Sequence, residues 1–340
     1  MPYGSAPIFT ATSAAGIIFS FDAFPTVINM GSEITNPRKN IGRGITISLL
    51  ISGIIYIILQ STFITAMPPA MIAKYGWHGI TFNSPFADMA ILLGIHWLSV
   101  LLYMDAFVSP FGTGVSFVAS TARALFAMEG NHHIPRFIGK INPKYGIPRA
   151  AMLVDTVLSM VMVSVFRSWA VLATVLSTAT LIAYLTGPVT AMSLRKMGPK
   201  LHRPVRLKRL PWIAPISFVL ASLATYWAMW PTTVQVILVI LLGLPFYFYY
   251  EWKNGFVATR KAFKASLWMI GYLIFISIMS YIGSKQFNGQ NWIPYPLDFV
   301  VIILASLGFY YWGIKSYVVT ADYYKAEELN KSVAGEDPED

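Results

Sequence analysis

Cysteine is absent from the 340 residues, which excludes disulfides, thiol catalysis and thiolate metal sites. Charge is scarce as well. Asp, Glu, Lys and Arg make up 12% of the chain, about half their usual share in soluble domains. The shortage is uneven, with 25 Lys and Arg against 15 Asp and Glu. A phosphate loop of the G-x-x-x-x-G-K-[ST] kind is missing, which argues against an ATP-driven pump. His132 and His133 are adjacent but have no carboxylate cluster nearby beyond Glu129, so a metal site is not expected. No Ser/His/Asp set can be assigned either. The chain reads as neither an enzyme nor a cofactor-binding protein.

What is abundant is apolar sequence, 56% of all residues. Runs of 18 or more residues with almost no charge mark membrane-spanning helices. Nine spans are expected, at about 7–34, 42–66, 94–122, 150–166, 169–193, 212–230, 232–250, 266–284 and 297–314. Alternate loops then hold 22 of the 25 basic residues, and the opposite loops hold only Lys74, Arg167 and Lys285. The positive-inside rule makes the basic side cytoplasmic. The expected location is the plasma (inner) membrane, multi-pass, with the C-terminus inside. In the outer loop 67–93, Ser84 and Pro85 predict the start of a surface helix. The acidic end "AGEDPED" reads as a disordered tail.

The stretch "IIFSFDAFPTVINMGSEITNPRKNIGRG" (17–44) carries the strongest functional signal. Asp22 stands 12 residues before Ile34, about 18 Å from the inner end of its span at 1.5 Å per residue. That is near the midplane of a roughly 30 Å core, where a carboxylate costs roughly 2.5–3.5 kcal/mol unless it faces protein or water. Pro25 has no N–H and clashes with the Phe21 carbonyl four residues back. It also drives Phe24 from helical angles. The helix is therefore expected to stop near Asp22-Ala23 and restart at Pro25. Such a break survives in a membrane only when it is buried in protein or lines a cavity. The plain alternative is a proline kink whose acid is satisfied by a neighbouring helix.

"FSFDAF…GSEITNPRKNIGRGI" resembles the sixth helix and following loop of the amino acid–polyamine–organocation permeases. In that family an F-x-[FY]-x-[GA]-F segment unwinds, and an acidic pair plus NP-[RK]-[RK] follows. Ser32-Glu33 stands at the acidic pair, and Asn36-Pro37-Arg38-Lys39 matches the remainder. "STARALFAMEGNHHIPRFIGKINPKYGIPRAA" (120–151) is similar to the end of the family's eighth helix and the loop to the ninth. The resemblance implies an all-α LeuT-type fold built from inverted five-helix repeats. Residues 1–195 would be the second repeat, 196–316 four additional helices, and 317–340 a cytoplasmic tail. The first repeat would then lie outside this chain, in a longer protein or a separate N-terminal half. By the same resemblance, Phe19, Ser20, Phe21, Asp22, Ala23 and Phe24 would surround the substrate.

Four further expectations follow. Asp22 is a candidate proton-coupling group, because burial away from water disfavours a charged carboxylate. Asp105 is a second candidate, sharing its helix with Ser109-Pro110, Gly112, Thr113 and Gly114, which would let a neighbour approach or a cavity open. Pro25, Gly187 and Pro188 are hinge candidates, and Tyr184 could reach a permeation path. Glu33 and Arg123 could pair at the cytoplasmic gate. The expected partners are an amino acid, a coupling ion (a proton rather than sodium) and membrane lipids. "KLHRPVRLKR" (200–209) lacks interleaved aromatics, so headgroups suit it better than nucleic acid. The function expected is a proton-coupled amino acid permease working by alternating access; the alternative is a truncated chain without transport of its own.

Overall fold

The computed structural model describes residues 4–13, 16–31, 34–130, 133–199, 201, 203, 207–253, 259–319 and 323–324. Ser32, Glu33, His132, Lys200, Arg206 and the acidic tail lie outside the described residues, and with them the acidic pair and the gate contact of Glu33. Helices follow one another without a strand among the described residues: α1 (Ala6–Ser13), α2 (Ile17–Ser20), α3 (Phe24–Asn29), α4 (Pro37–Ala66), α5 (Pro69–Gly79), α6 (Pro85–Leu92) and α7 (His96–Gly130). Then come α8 (Arg149–Val165), α9 (Trp169–Met197), α10 (Leu210–Tyr226), α11 (Thr232–Leu241), α12 (Gly243–Lys253), α13 (Thr259–Ile282) and α14 (Leu297–Lys315).

Six helical stretches among the described residues are long and apolar enough to cross a membrane: Lys39–Ala66, His96–Gly130, Trp169–Met197, Thr232–Lys253, Phe263–Ile282 and Leu297–Lys315. This is fewer than the nine spans expected. α8 and α10 are both 17 residues long, at the lower limit for a span. The first expected span, 7–34, is divided among α1, α2 and α3. Local signals account for the starts. Asn36 adopts φ +50°, which few residues besides glycine tolerate, and Pro37 then opens α4. Pro85 opens α6, as expected from Ser84-Pro85. The Ser84 side chain makes no capping bond there. Instead its N–H donates to Asp88 Oδ2 at 3.1 Å. The segment 67–93 holds a second helix, α5, opened by Pro69.

The chain divides into two compact units. The first comprises Met1–Asp22, Gly130–Pro135 and Ser159–Asp340; the second comprises Ala23–Glu129 and Arg136–Leu158. In the first unit α9, α10, α13 and α14 pack together around Phe218, Tyr226, Tyr272 and Tyr310, all fully buried. The Phe218 ring lies 5.5 Å from Tyr272 and 5.7 Å from Tyr310. Glycine sets the closeness of approach, because a Cβ on Gly313 would fall 2.9 Å from Val189 Cγ1. Lipid tails are as apolar as these side chains, so dispersion, close packing and buried hydrogen bonds must hold such a bundle.

The second unit is built differently. Along its two long helices, α4 has none of its most apolar window buried and α7 has 6%. The packing that exists is at the edges. Phe63 of α4 meets Phe86 of α6 edge-on at 5.7 Å, and α3 packs against α4.

Candidate functional site

The apolar path from Ala6 to Asn29 is interrupted twice. α2 ends at Ser20, residues 21–23 form turns, and α3 begins at Phe24 with Pro25 in its first turn. Proline is tolerated there because that amide has no helical partner anyway. This break falls within two residues of the place Pro25 predicts. The other interruption precedes α2, where Gly16 takes φ +84°. Its signal in the sequence is a lone glycine after small residues, and only the left-handed backbone gives that glycine a meaning.

The division between the two units falls between Asp22 and Ala23, so the candidate residues belong to two sets. In the first unit Asp22 is buried, with 6% of its surface exposed. Thr180 Oγ1 donates to its Oδ2 at 2.9 Å, and the Tyr184 hydroxyl donates to its Oδ1 at 2.9 Å. Residues 180 and 184 are one turn apart on α9, so both hydroxyls leave the same face. Burying a charge is costly unless it is hydrogen-bonded, and here each carboxylate oxygen receives a donor. The neighbouring hydroxyls of α9 behave otherwise. Thr174, Ser177 and Thr178 donate to backbone carbonyls four residues back, at 2.7–2.8 Å. Thr180 gives its proton to Asp22 instead.

Backbone turns and one aromatic contact hold this carboxylate in place. The Asp22 N–H donates to the Phe19 carbonyl at 3.1 Å and the Phe21 N–H to the Ile18 carbonyl at 3.0 Å. Ser20 Oγ donates to the Gly16 carbonyl at 3.3 Å. The Phe19 ring meets Trp169, at the start of α9, edge-on at 5.4 Å. Further back, Phe9 of α1 packs on Trp227 at 4.9 Å and Phe299 at 5.2 Å. Phe19 is thus a clamp on α9 in this structure.

Gly187 and Pro188 follow Tyr184 on α9, which continues as one helix through both. Pro188 cannot supply the amide that the Tyr184 carbonyl would receive in a regular helix. The residue that holds Asp22 therefore sits beside the weakened turn.

In the second unit Ala23 and Phe24 lead into α3, and Asn29 at its end donates through Nδ2 to Ser120 Oγ of α7 at 2.8 Å. Asp105 lies exposed on α7. No heavy atom comes within 4 Å of a Cβ placed on Gly112 or Gly114, so the close approach expected there is not made among the described residues. Arg123 Nη1 donates to the Ala119 carbonyl of its own helix at 3.0 Å.

Sequence reasoning passed over Thr180, whose only signal is its one-turn spacing from Tyr184. It also passed over Asp298, fully buried in the first turn of α14. Tyr226 donates to Asp298 Oδ2 at 2.8 Å, and the same phenol oxygen accepts the Ser284 N–H at 3.0 Å. An acid in the first turn of a helix is a start signal, and its burial comes from the tertiary fold.

A buried acid beside an interrupted apolar helix is the arrangement that secondary transporters use at their binding sites. Comparison with known proteins agrees with that class. The amino acid permease family model matches residues 1–242, and the chain belongs to that family of the amino acid–polyamine–organocation superfamily. It is 47% identical over 332 residues to the glutamate/serine transporter AimA of Bacillus subtilis, covering 98% of this chain and 61% of the relative. It is 34% identical over 317 residues to the aspartate-proton symporter of the same organism, covering 92% of this chain and 60% of the relative. The chain thus spans about three fifths of the length of these relatives. No solved structure matches it.

Proposed function

We propose that this chain is the C-terminal part of a proton-coupled amino acid permease, with Asp22 as the coupling group. The observation that carries the reading is the buried Asp22 carboxylate beside the break, with a hydroxyl donor on each oxygen. Around it we place a LeuT-type second repeat (1–195), four further helices (196–316), nine spans in all, and a cytoplasmic C-terminus. Substrate contacts come from residues 19–24, and Pro25, Gly187 and Pro188 give way as access alternates between the two faces. The relatives' names include glutamate, serine and aspartate, which favours a small polar or acidic amino acid over the cationic one that an ionised Asp22 alone would suit. Proton coupling removes the conflict: a protonated Asp22 does not repel a substrate carboxylate, and an ionised one helps to release it.

The test is uptake of radiolabelled glutamate, aspartate and serine into proteoliposomes under an imposed inward proton gradient. Asp22→Asn should reduce gradient-driven uptake at least tenfold while membrane insertion stays normal; unchanged gradient-dependent uptake would reject the role. A second reading, favoured by the three-fifths coverage of the relatives, is that the chain transports nothing alone. It predicts no uptake from the chain by itself and recovery when a segment equivalent to the relatives' remaining part is co-expressed.

A further inference from the structure

α10 and α14 leave a trough along their shared outer face. Trp212, Pro215 and Val219 form one wall and Ile303, Leu307 and Tyr311 the other, enclosing about 580 Å³. Each set recurs every three or four residues, so each wall is a single helical stripe. Pro215 is buried and forms part of the floor, whereas Trp212 is 76% exposed at one end. The trough runs from Pro211 to Leu220 on α10, about 14 Å at 1.5 Å per residue. Half of a roughly 30 Å hydrocarbon core is about 15 Å. The trough is one leaflet long.

The ends of the trough differ chemically. At the Trp212 end the chain carries Lys208 and Arg209 immediately before α10, and Lys315 closes α14. All three are exposed. Their basic neighbours are tied into the loop: Arg195 Nη2 donates to the Leu207 carbonyl at 2.9 Å, and Arg203 donates to the Leu194 carbonyl at 3.0 Å. The other end of the trough, at Leu220 and Ile303, lies among apolar side chains. An apolar slot of leaflet length with cations at one mouth complements an anionic phospholipid in shape and charge.

We propose that this trough is a binding site for one anionic phospholipid of the inner leaflet, its phosphate at Lys208, Arg209 and Lys315 and its acyl chain between α10 and α14. The assignment to the inner leaflet rests on the orientation proposed above. A second copy of the chain is the rival occupant. Two copies meeting by a twofold axis at the same trough would bring both sets of three cations together, and like charges in contact repel.

Native mass spectrometry of the full chain, released from detergent with phosphatidylglycerol or chain-matched phosphatidylcholine, tests this directly. One retained phosphatidylglycerol is expected, in clear excess over phosphatidylcholine. Neutralising each of Lys208, Arg209 and Lys315 to Gln should weaken that retention about fivefold, whereas Lys253→Gln, on α12, should not. Ile303→Trp should fill the slot and abolish retention. Equal retention of both lipids, or equal loss with Lys253→Gln, overturns the site, and so does a dimer that Ile303→Trp dissolves. Because the chain has no cysteine, Lys315→Cys can be labelled from either side of sealed vesicles. Labelling from outside alone would reject the inner leaflet and the orientation together, even if phosphatidylglycerol were still preferred.

Discussion

The helices α4 and α9 are of similar length and both apolar, yet they live differently. α4 is the most apolar of the six candidate spans and has none of its window buried, while 39% of the α9 window is buried. Both helices carry small hydroxylated residues, but Thr174, Ser177 and Thr178 of α9 are buried, whereas Thr46, Thr62 and Thr65 of α4 are exposed and donate only along their own helix. Hydropathy reports how well a helix suits lipid. Burial of its small and polar residues reports whether it has a protein neighbour, because lipid offers apolar side chains no incentive to leave it.

The sharpest way to break this comparison is to make one cut in each helix. Leu185→Ala on α9 removes a fully buried side chain and should cost about 2–5 kcal/mol. Leu50→Ala on α4, where the residue is 63% exposed, should cost under about 0.5 kcal/mol. Reversible unfolding in mixed micelles would measure both, and similar costs would end the distinction. Glycine offers a second cut. Gly313→Val would drive methyls into Val189 and Trp268, at about 1–3 kcal/mol. Gly112→Val on α7, with open space around it, should stay within about 0.5 kcal/mol of wild type by the same assay. The smallest expected effect concerns function. Tyr184→Phe removes one donor from Asp22 and should lower gradient-driven uptake about tenfold, a hydrogen bond to a charged group being worth roughly 1.5 kcal/mol. Tyr249→Phe, at an exposed position of α12, should leave uptake unchanged in the same vesicles.

The break at Asp22 was legible because proline and an acid in an apolar run each act locally, and backbone chemistry confines their effect to a few residues. The all-helical class was legible from the long, nearly uncharged apolar runs. Thr180 was not, since nothing along the chain says which of several threonines on α9 will forgo its own backbone carbonyl for a carboxylate far away. Asp298 was hidden likewise: it reads as an ordinary helix start until Tyr226 is brought to it. Six helical stretches among the described residues are long and apolar enough to cross a membrane, against nine spans expected, and the two numbers part where the chain is apolar but interrupted. Gly16 at φ +84° divides a run that hydropathy treats as continuous. Asp105 shows the converse, an acid in an apolar run that the structure leaves exposed.

The bond between Thr180 and Asp22 joins residues 158 positions apart, and a ribosome makes them in order. At roughly 5–20 residues per second, Asp22 exists for roughly 8–30 s before either of its hydroxyl donors has been synthesised. Throughout that interval its carboxyl must be tolerated in or beside the bilayer by something other than α9. The chain's birth is therefore harder on Asp22 than its finished state, and the cost of a buried carboxyl falls first on insertion.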